Sequence, residues 1–177
     1  DVASNVAGHT PVTLILAHGA GAPMDSSFMG DMAARLAAHG VNVLRFEFPY
    51  MAARRAGGGK RPPNPQAQLL DCWRDVYRQV RAMVEGPLAI GGKSMGGRMA
   101  SLLADELGAS VLICLGYPFY AAGKPEKPRV AHLAALRTPT LICRMGRPRR
   151  SEASRIPVSG ARRLRSTSTP RALSGEM

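Results

Sequence analysis

The sequence predicts an α/β fold built on a doubly wound, mostly parallel sheet with helices on both faces. Three observations predict it. Short apolar runs alternate with stretches of helical periodicity between residues 12 and 143. Runs such as Leu88-Ala89-Ile90, Val111–Leu115 and Thr140–Cys143 are apolar on both faces, as strands buried between helix layers must be. The chain has 177 residues, 45% hydrophobic and 20% charged, which fits one globular domain rather than a disordered chain. In such a sheet, ligands bind outside the carboxyl ends of the strands.

Each element has its own warrant. Val12–Ala17 is a run of strand formers ended by His18-Gly19. Phe28–His39 follows as a helix, with Phe28, Met29, Met32, Ala33, Leu36 and Ala37 at helical spacing and Gly40 as a stop. Val41–Phe46 reads as the second strand. Pro49–Gln68 reads as a long loop, in which Arg54, Arg55, Lys60 and Arg61 form either a solvated face or a dock for an anion. Leu69–Val84 is the clearest helix: Leu69, Cys72, Trp73, Val76, Tyr77, Val80, Met83 and Val84 share one face, and Gly86-Pro87 closes it. Leu88–Gly91, Val111–Leu115 and Thr140–Cys143 supply three further strands, with helices predicted over Met95–Leu107 and Val130–Leu136. Residues 144–177 hold no useful strand or amphipathic helix. They are rich in Arg, Ser and Pro and read as a disordered or out-of-frame tail after a domain at 1–143.

Charge and cysteine usage exclude several functions. The net charge is +12, but residues 144–177 carry nine arginines against two glutamates, so most of the excess lies in the tail. The tail lacks interleaved aromatics and any nucleic-acid-binding module, which argues against a selected nucleic-acid partner and leaves a basic nucleic-acid binder as the weaker alternative reading. Cys72, Cys114 and Cys143 lie far apart, which fits neither a disulfide scaffold nor a zinc site and suits a reducing cytoplasm. No apolar run approaches the length of a membrane span, and no metal or cofactor is implied. The chain opens on Asp1 rather than Met, so residues ahead of it are expected to be missing.

The strongest local signal is Gly92-Lys93-Ser94-Met95-Gly96, a G-x-S-x-G between a predicted strand and a predicted helix. That context is the nucleophile elbow, in which a tight turn lifts the serine hydroxyl above the sheet beside free helix N–H groups. The bland alternative is a glycine-rich turn with an ordinary serine. Gly-Lys-Ser also ends phosphate-binding loops, but the glycine needed five positions earlier is Pro87 here. The second signal is His18-Gly19-Ala20-Gly21, straight after the first strand. Backbone N–H groups of Ala20 and Met95 are the expected oxyanion donors, with Gly19 as a substitute. His18 itself is expected to hold the loop through a ring hydrogen bond rather than to act in catalysis.

LAHGAGAPMDSSFM, VLRFEFPYM, KRPP, GGKSMGGRMAS, CLGYPF and GKPEKPR resemble a group of small bacterial α/β-hydrolase-like proteins. That group is related to a testis-expressed protein and to a subunit of the NSL histone-acetyltransferase complex. The likeness covers residues 12–143. It implies an α/β-hydrolase fold close to dienelactone hydrolases, a small ester-type substrate, and Ser94 as the nucleophile. Some eukaryotic members of the group serve as scaffolds, so a non-catalytic interaction module with a protein partner is the alternative reading. Tyr120-Ala121-Ala122 stands where the group carries His-Pro-Pro. No long lid insert follows the fourth strand, so the pocket is expected to be shallow or open.

The pattern breaks after the fifth predicted strand. The chain order of a triad is Ser, then Asp or Glu, then His. The resemblance would place the acid in a G-x-x-D-P-like segment, where this chain reads Met145-Gly146-Arg147-Pro148. Glu152 is the nearest later acid, no histidine follows His132, and His132 reads as a helix-surface residue. The triad is therefore incomplete and activity is expected to be low. Coding DNA with an Asp and a later His in a neighbouring frame would explain the tail.

Overall fold

The computed structural model describes residues 10–121 and 123–144. Arg144 closes the described part, and the rest of the expected tail lies outside it. Five parallel strands form the central sheet: β1 (Thr13–Ala17), β2 (Asn42–Phe46), β3 (Leu88–Lys93), β4 (Leu112–Leu115) and β7 (Thr140–Cys143). Their order is β2-β1-β3-β4-β7. The order reverses between β1 and β3, the place where sheets of this kind bind ligands beyond the carboxyl ends of the strands.

The period-two alternation of strand residues sorts the core into two layers. Ile15, Ala17, Leu88, Ile90, Leu112 and Cys114 face one way and pack with Trp73, Leu69 and Tyr77 of α3 (Gln66–Met83) and Met99 of α4 (Met95–Leu103). Leu14, Leu16, Ala89 and Leu115 face the other way and meet Met29 of α1 (Ser27–Ala37). β1 is buried along its whole length, which explains its uninterrupted apolar run.

Three elements differ from the sequence expectation. Pro49–Arg55 of the expected long loop forms α2, with Pro49 at its first turn and Arg54 and Arg55 in its last. Proline suits the first helical position because its missing N–H has no partner there anyway, and the arginines suit the negative helix end. Tyr120–Ala121 and Lys124–Pro128 pair as a small antiparallel hairpin, β5–β6. The predicted helix at Val130–Leu136 is a 3₁₀ turn over Ala131–Ala135. Among the described residues, no helix is long and apolar enough to cross a membrane.

Candidate active site

Ser94 sits where β3 turns into α4, at the carboxyl end of β3. Its φ of 50° and ψ of −112° make it the one non-glycine residue with positive φ among the described residues. An L side chain resists this conformation, so the surrounding structure must impose it. Two contacts show how. The Ser94 N–H donates to the Leu115 carbonyl at 2.9 Å, and the Ser94 carbonyl accepts the Arg98 N–H at 3.0 Å. Strand and helix then close so tightly that a Cβ on Gly92 would stand 2.6 Å from the Gly96 carbonyl carbon. One on Gly96 would stand 2.5 Å from the His18 carbonyl oxygen. Ser94 is half-buried, and its hydroxyl makes no hydrogen bond to the helix it caps.

The HGAG segment leaves β1 on the neighbouring strand and arrives beside this corner. A Cβ built on Gly19 would lie 3.8 Å from Ser94 Cβ. His18 is fully buried; its Nε2 accepts the Phe48 N–H at 3.2 Å, so Nδ1 carries the proton and donates to the Gly19 carbonyl at 2.7 Å. Burial pushes the His18 pKa below its ordinary value and keeps the ring neutral, as this bonding requires. Its loop-holding role is the expected one. The Ala20 and Met95 N–H groups have no backbone acceptor among the described residues.

Ion pairs tie the loops together. Arg55 grips Glu47 with two bonds, at 2.7 and 3.0 Å, and Asp25 at 2.9 Å. These bonds hold both carboxylates below their ordinary pKa. The expected basic dock is thereby altered: Arg55 is neutralised by two acids, and Arg61 donates to the Gly58 carbonyl at 3.0 Å. Lys93, next to Ser94, rests its ammonium 4.2 Å above the Phe28 ring. Tyr50 lines a groove of about 510 Å³ together with Pro49, Ala53, Arg61, Asn64 and Pro65.

His132 is not the surface residue that its sequence context suggests. It is half-buried, and its Nε2 lies 2.8 Å from Ser101 Oγ and 3.5 Å from the Tyr117 hydroxyl. Ser101 is buried two turns along α4 from Ser94, about 10 Å by helix rise, so His132 braces the far part of the helix. Ser101 also donates to the Arg98 carbonyl at 2.8 Å, a local backbone bond rather than a nucleophile's arrangement. His39 bonds the Arg35 carbonyl. The three described histidines are thus engaged elsewhere, and the expected sites of a triad acid and base, after Cys143, lie outside the described residues. Tyr50 is the residue that sequence reasoning missed; Arg55 was singled out as part of a dock for an anion and not as the partner of Glu47 and Asp25.

The comparisons bear on the fold. A comparison with curated proteins returns no match. Among solved structures, an α/β serine hydrolase without a lid from Xanthomonas campestris superposes with a TM-score of 0.56 at 22% identity. It covers 82% of this chain and 75% of its own. A hydrolase-superfamily protein from Xanthomonas campestris pv. campestris gives 0.54 at 19% identity, covering 76% and 87%. Residues 10–157 match the family described as an alpha/beta hydrolase domain, and the chain belongs to that family.

Proposed function

We propose that this chain is a serine acyl hydrolase acting on small ester-type substrates, with Ser94 as nucleophile and the Ala20 and Met95 N–H groups as oxyanion donors. The observation that carries the reading is the enforced positive-φ conformation of Ser94 at the sheet's reversal point, beside the HGAG segment. A conformation costing about 1–3 kcal/mol persists where function or packing demands it. Attack of the Ser94 oxygen on the carbonyl carbon forms the tetrahedral adduct and moves negative charge onto the carbonyl oxygen. Unpartnered N–H groups at that place stabilise the charge. The hydroxyl proton needs an acceptor, and none of the described histidines is bonded to Ser94. Without such an acceptor the acyl-transfer rate is limited to what binding and the oxyanion site supply, roughly 10³–10⁴-fold over water in protease examples. The dienelactone-hydrolase-like character belongs to the same proposal and rests on the motif resemblance alone. A cytoplasmic setting is part of the proposal too, supported by the free thiols of Cys72, Cys114 and Cys143.

A non-catalytic interaction module is the second reading, favoured by the engagement of His18, His39 and His132 away from Ser94. A fluorophosphonate probe separates the two. Labelling at Ser94 that disappears in Ser94→Ala is the outcome expected of a hydrolase; a folded protein that takes no label supports the module.

A further inference from the structure

Tyr50 reaches the HGAG segment from α2, an element that belongs to neither the β1 nor the β3 turn. Its hydroxyl donates to the Ala20 carbonyl at 2.9 Å and lies 3.4 Å from the Gly19 carbonyl. The residue is only 3% exposed, and its own N–H is anchored on Asn64 Oδ1 at 2.8 Å. His18 Nδ1 donates to the same Gly19 carbonyl. Two successive carbonyls of a glycine-rich loop are thus fastened by buried donors. A trans peptide points its N–H opposite to its C=O. Drawing the Gly19 carbonyl toward His18 and Tyr50 therefore turns the Ala20 N–H away from them. Drawing the Ala20 carbonyl toward Tyr50 does the same for the Gly21 N–H. Neither N–H has a backbone acceptor among the described residues, and Ser94 adjoins Gly19.

We propose that Tyr50 is a positioning residue: its hydroxyl, acting with His18, fixes the peptide planes at 19–21 so that the Ala20 N–H is presented to an oxyanion formed at Ser94. The proposal rests on the reading of Ser94 as nucleophile. Its physical content is preorganisation. A loop with glycine at two of four positions has many backbone states, and a donor that must first find its orientation stabilises the transition state less. Burial pushes the Tyr50 pKa up to about 12, so the hydroxyl keeps its proton and remains a donor across the working range of pH. The ring packs near His18, with centroids 5.9 Å apart, so the aromatic body stays in place when the hydroxyl alone is removed.

The experiment compares wild type, Tyr50→Phe and Ser94→Ala with a fluorophosphonate probe over a range of concentrations, which separates the limiting labelling rate from probe affinity. Thermal unfolding of each protein is measured alongside. Tyr50→Phe is expected to lower the limiting rate about 10-fold or more, below the 10²–10³ that loss of a whole oxyanion donor costs. Probe affinity should stay within about twofold, because a positioned donor acts on the transition state rather than on ground-state binding. An unchanged limiting rate overturns the role. So does a joint fall in rate, affinity and melting temperature, which would mark Tyr50 as a structural support only. If wild type takes no label, or Ser94→Ala still does, the Ser94 reading fails and the Tyr50 role falls with it. That result is distinguishable because it appears before Tyr50 is changed.

Discussion

At Ser94 the backbone holds φ 50° and ψ −112°, and this residue's strain is separable from its chemistry. Glycine adopts such angles freely, whereas alanine keeps the Cβ that causes the conflict. Ser94→Gly is therefore expected to stabilise the fold by about 1 kcal/mol, the strain relieved less the backbone entropy glycine adds to the unfolded chain. Ser94→Ala should show no such gain. Urea unfolding of both variants checks this, and a Ser94→Gly protein less stable than wild type would mean the corner is unstrained. The neighbouring glycine behaves oppositely. A Cβ on Gly96 would sit 2.5 Å from the His18 carbonyl oxygen and 2.6 Å from that of Ala17, both backbone atoms that cannot swing aside. Gly96→Ala should cost about 2 kcal/mol or more, as overpacking does, and should move the HGAG loop away from Ser94.

At the scale of elements, the tie between α4 and the last described strand has a definable energy. Asp105, just past α4, accepts bonds from the Arg137 N–H at 3.0 Å, the Thr138 N–H at 2.8 Å and the Thr138 hydroxyl at 2.7 Å. These set the entry of β7 beside β4. Asp105→Ala leaves the Thr138 donors without their acceptor and is expected to cost about 2 kcal/mol, with Asp105→Asn costing less, both measurable by chemical denaturation. Elements differed in how far the sequence exposed them. The five parallel strands and α3 were legible because burial on both faces, or on one stripe, leaves a periodic apolar signature. β5 and β6 left none: Lys124-Pro125-Glu126-Lys127-Pro128 is exposed throughout and is a strand only through pairing with Tyr120 and Ala121. α2 was hidden because Pro49 reads as a breaker unless it is taken as a helix start. The Ser94 corner was legible through its glycines, each of which answers a steric demand of the backbone. Tyr50 was not, because its contact with Ala20 crosses 30 positions of sequence and no local pattern encodes it.

Across the whole molecule, the buried His18, the half-buried His132 and the paired carboxylates should set the response to acid in two separate intervals. Burial holds His18 and His132 below the ordinary histidine value, and for His132 the nearby Arg98 charge adds to the effect. As pH falls through about 6.5, the unfolded chain takes up a proton at each position while the native chain resists it. Unfolding then binds protons, so stability declines as pH drops below about 6.5. Bonds to Arg55 hold Glu47 and Asp25 low, and a bond to Arg74 holds Glu106 low. Asp105 is held at about 2, mainly by the Thr138 hydroxyl and the Arg137 N–H. Their contribution is complete above the ordinary carboxylate range near 4 and is lost as pH falls through the folded values. The urea midpoint of wild type should therefore already fall between pH 7 and 5, ahead of the loss from the paired carboxylates. His132→Gln keeps a partner for Ser101 but cannot take up a proton, so its decline across that interval should be shallower. Asp105→Asn should parallel wild type there and flatten only the later fall below pH 4. If His132→Gln tracks wild type from pH 7 to 5, the acid response of this fold does not originate in the brace between His132 and α4.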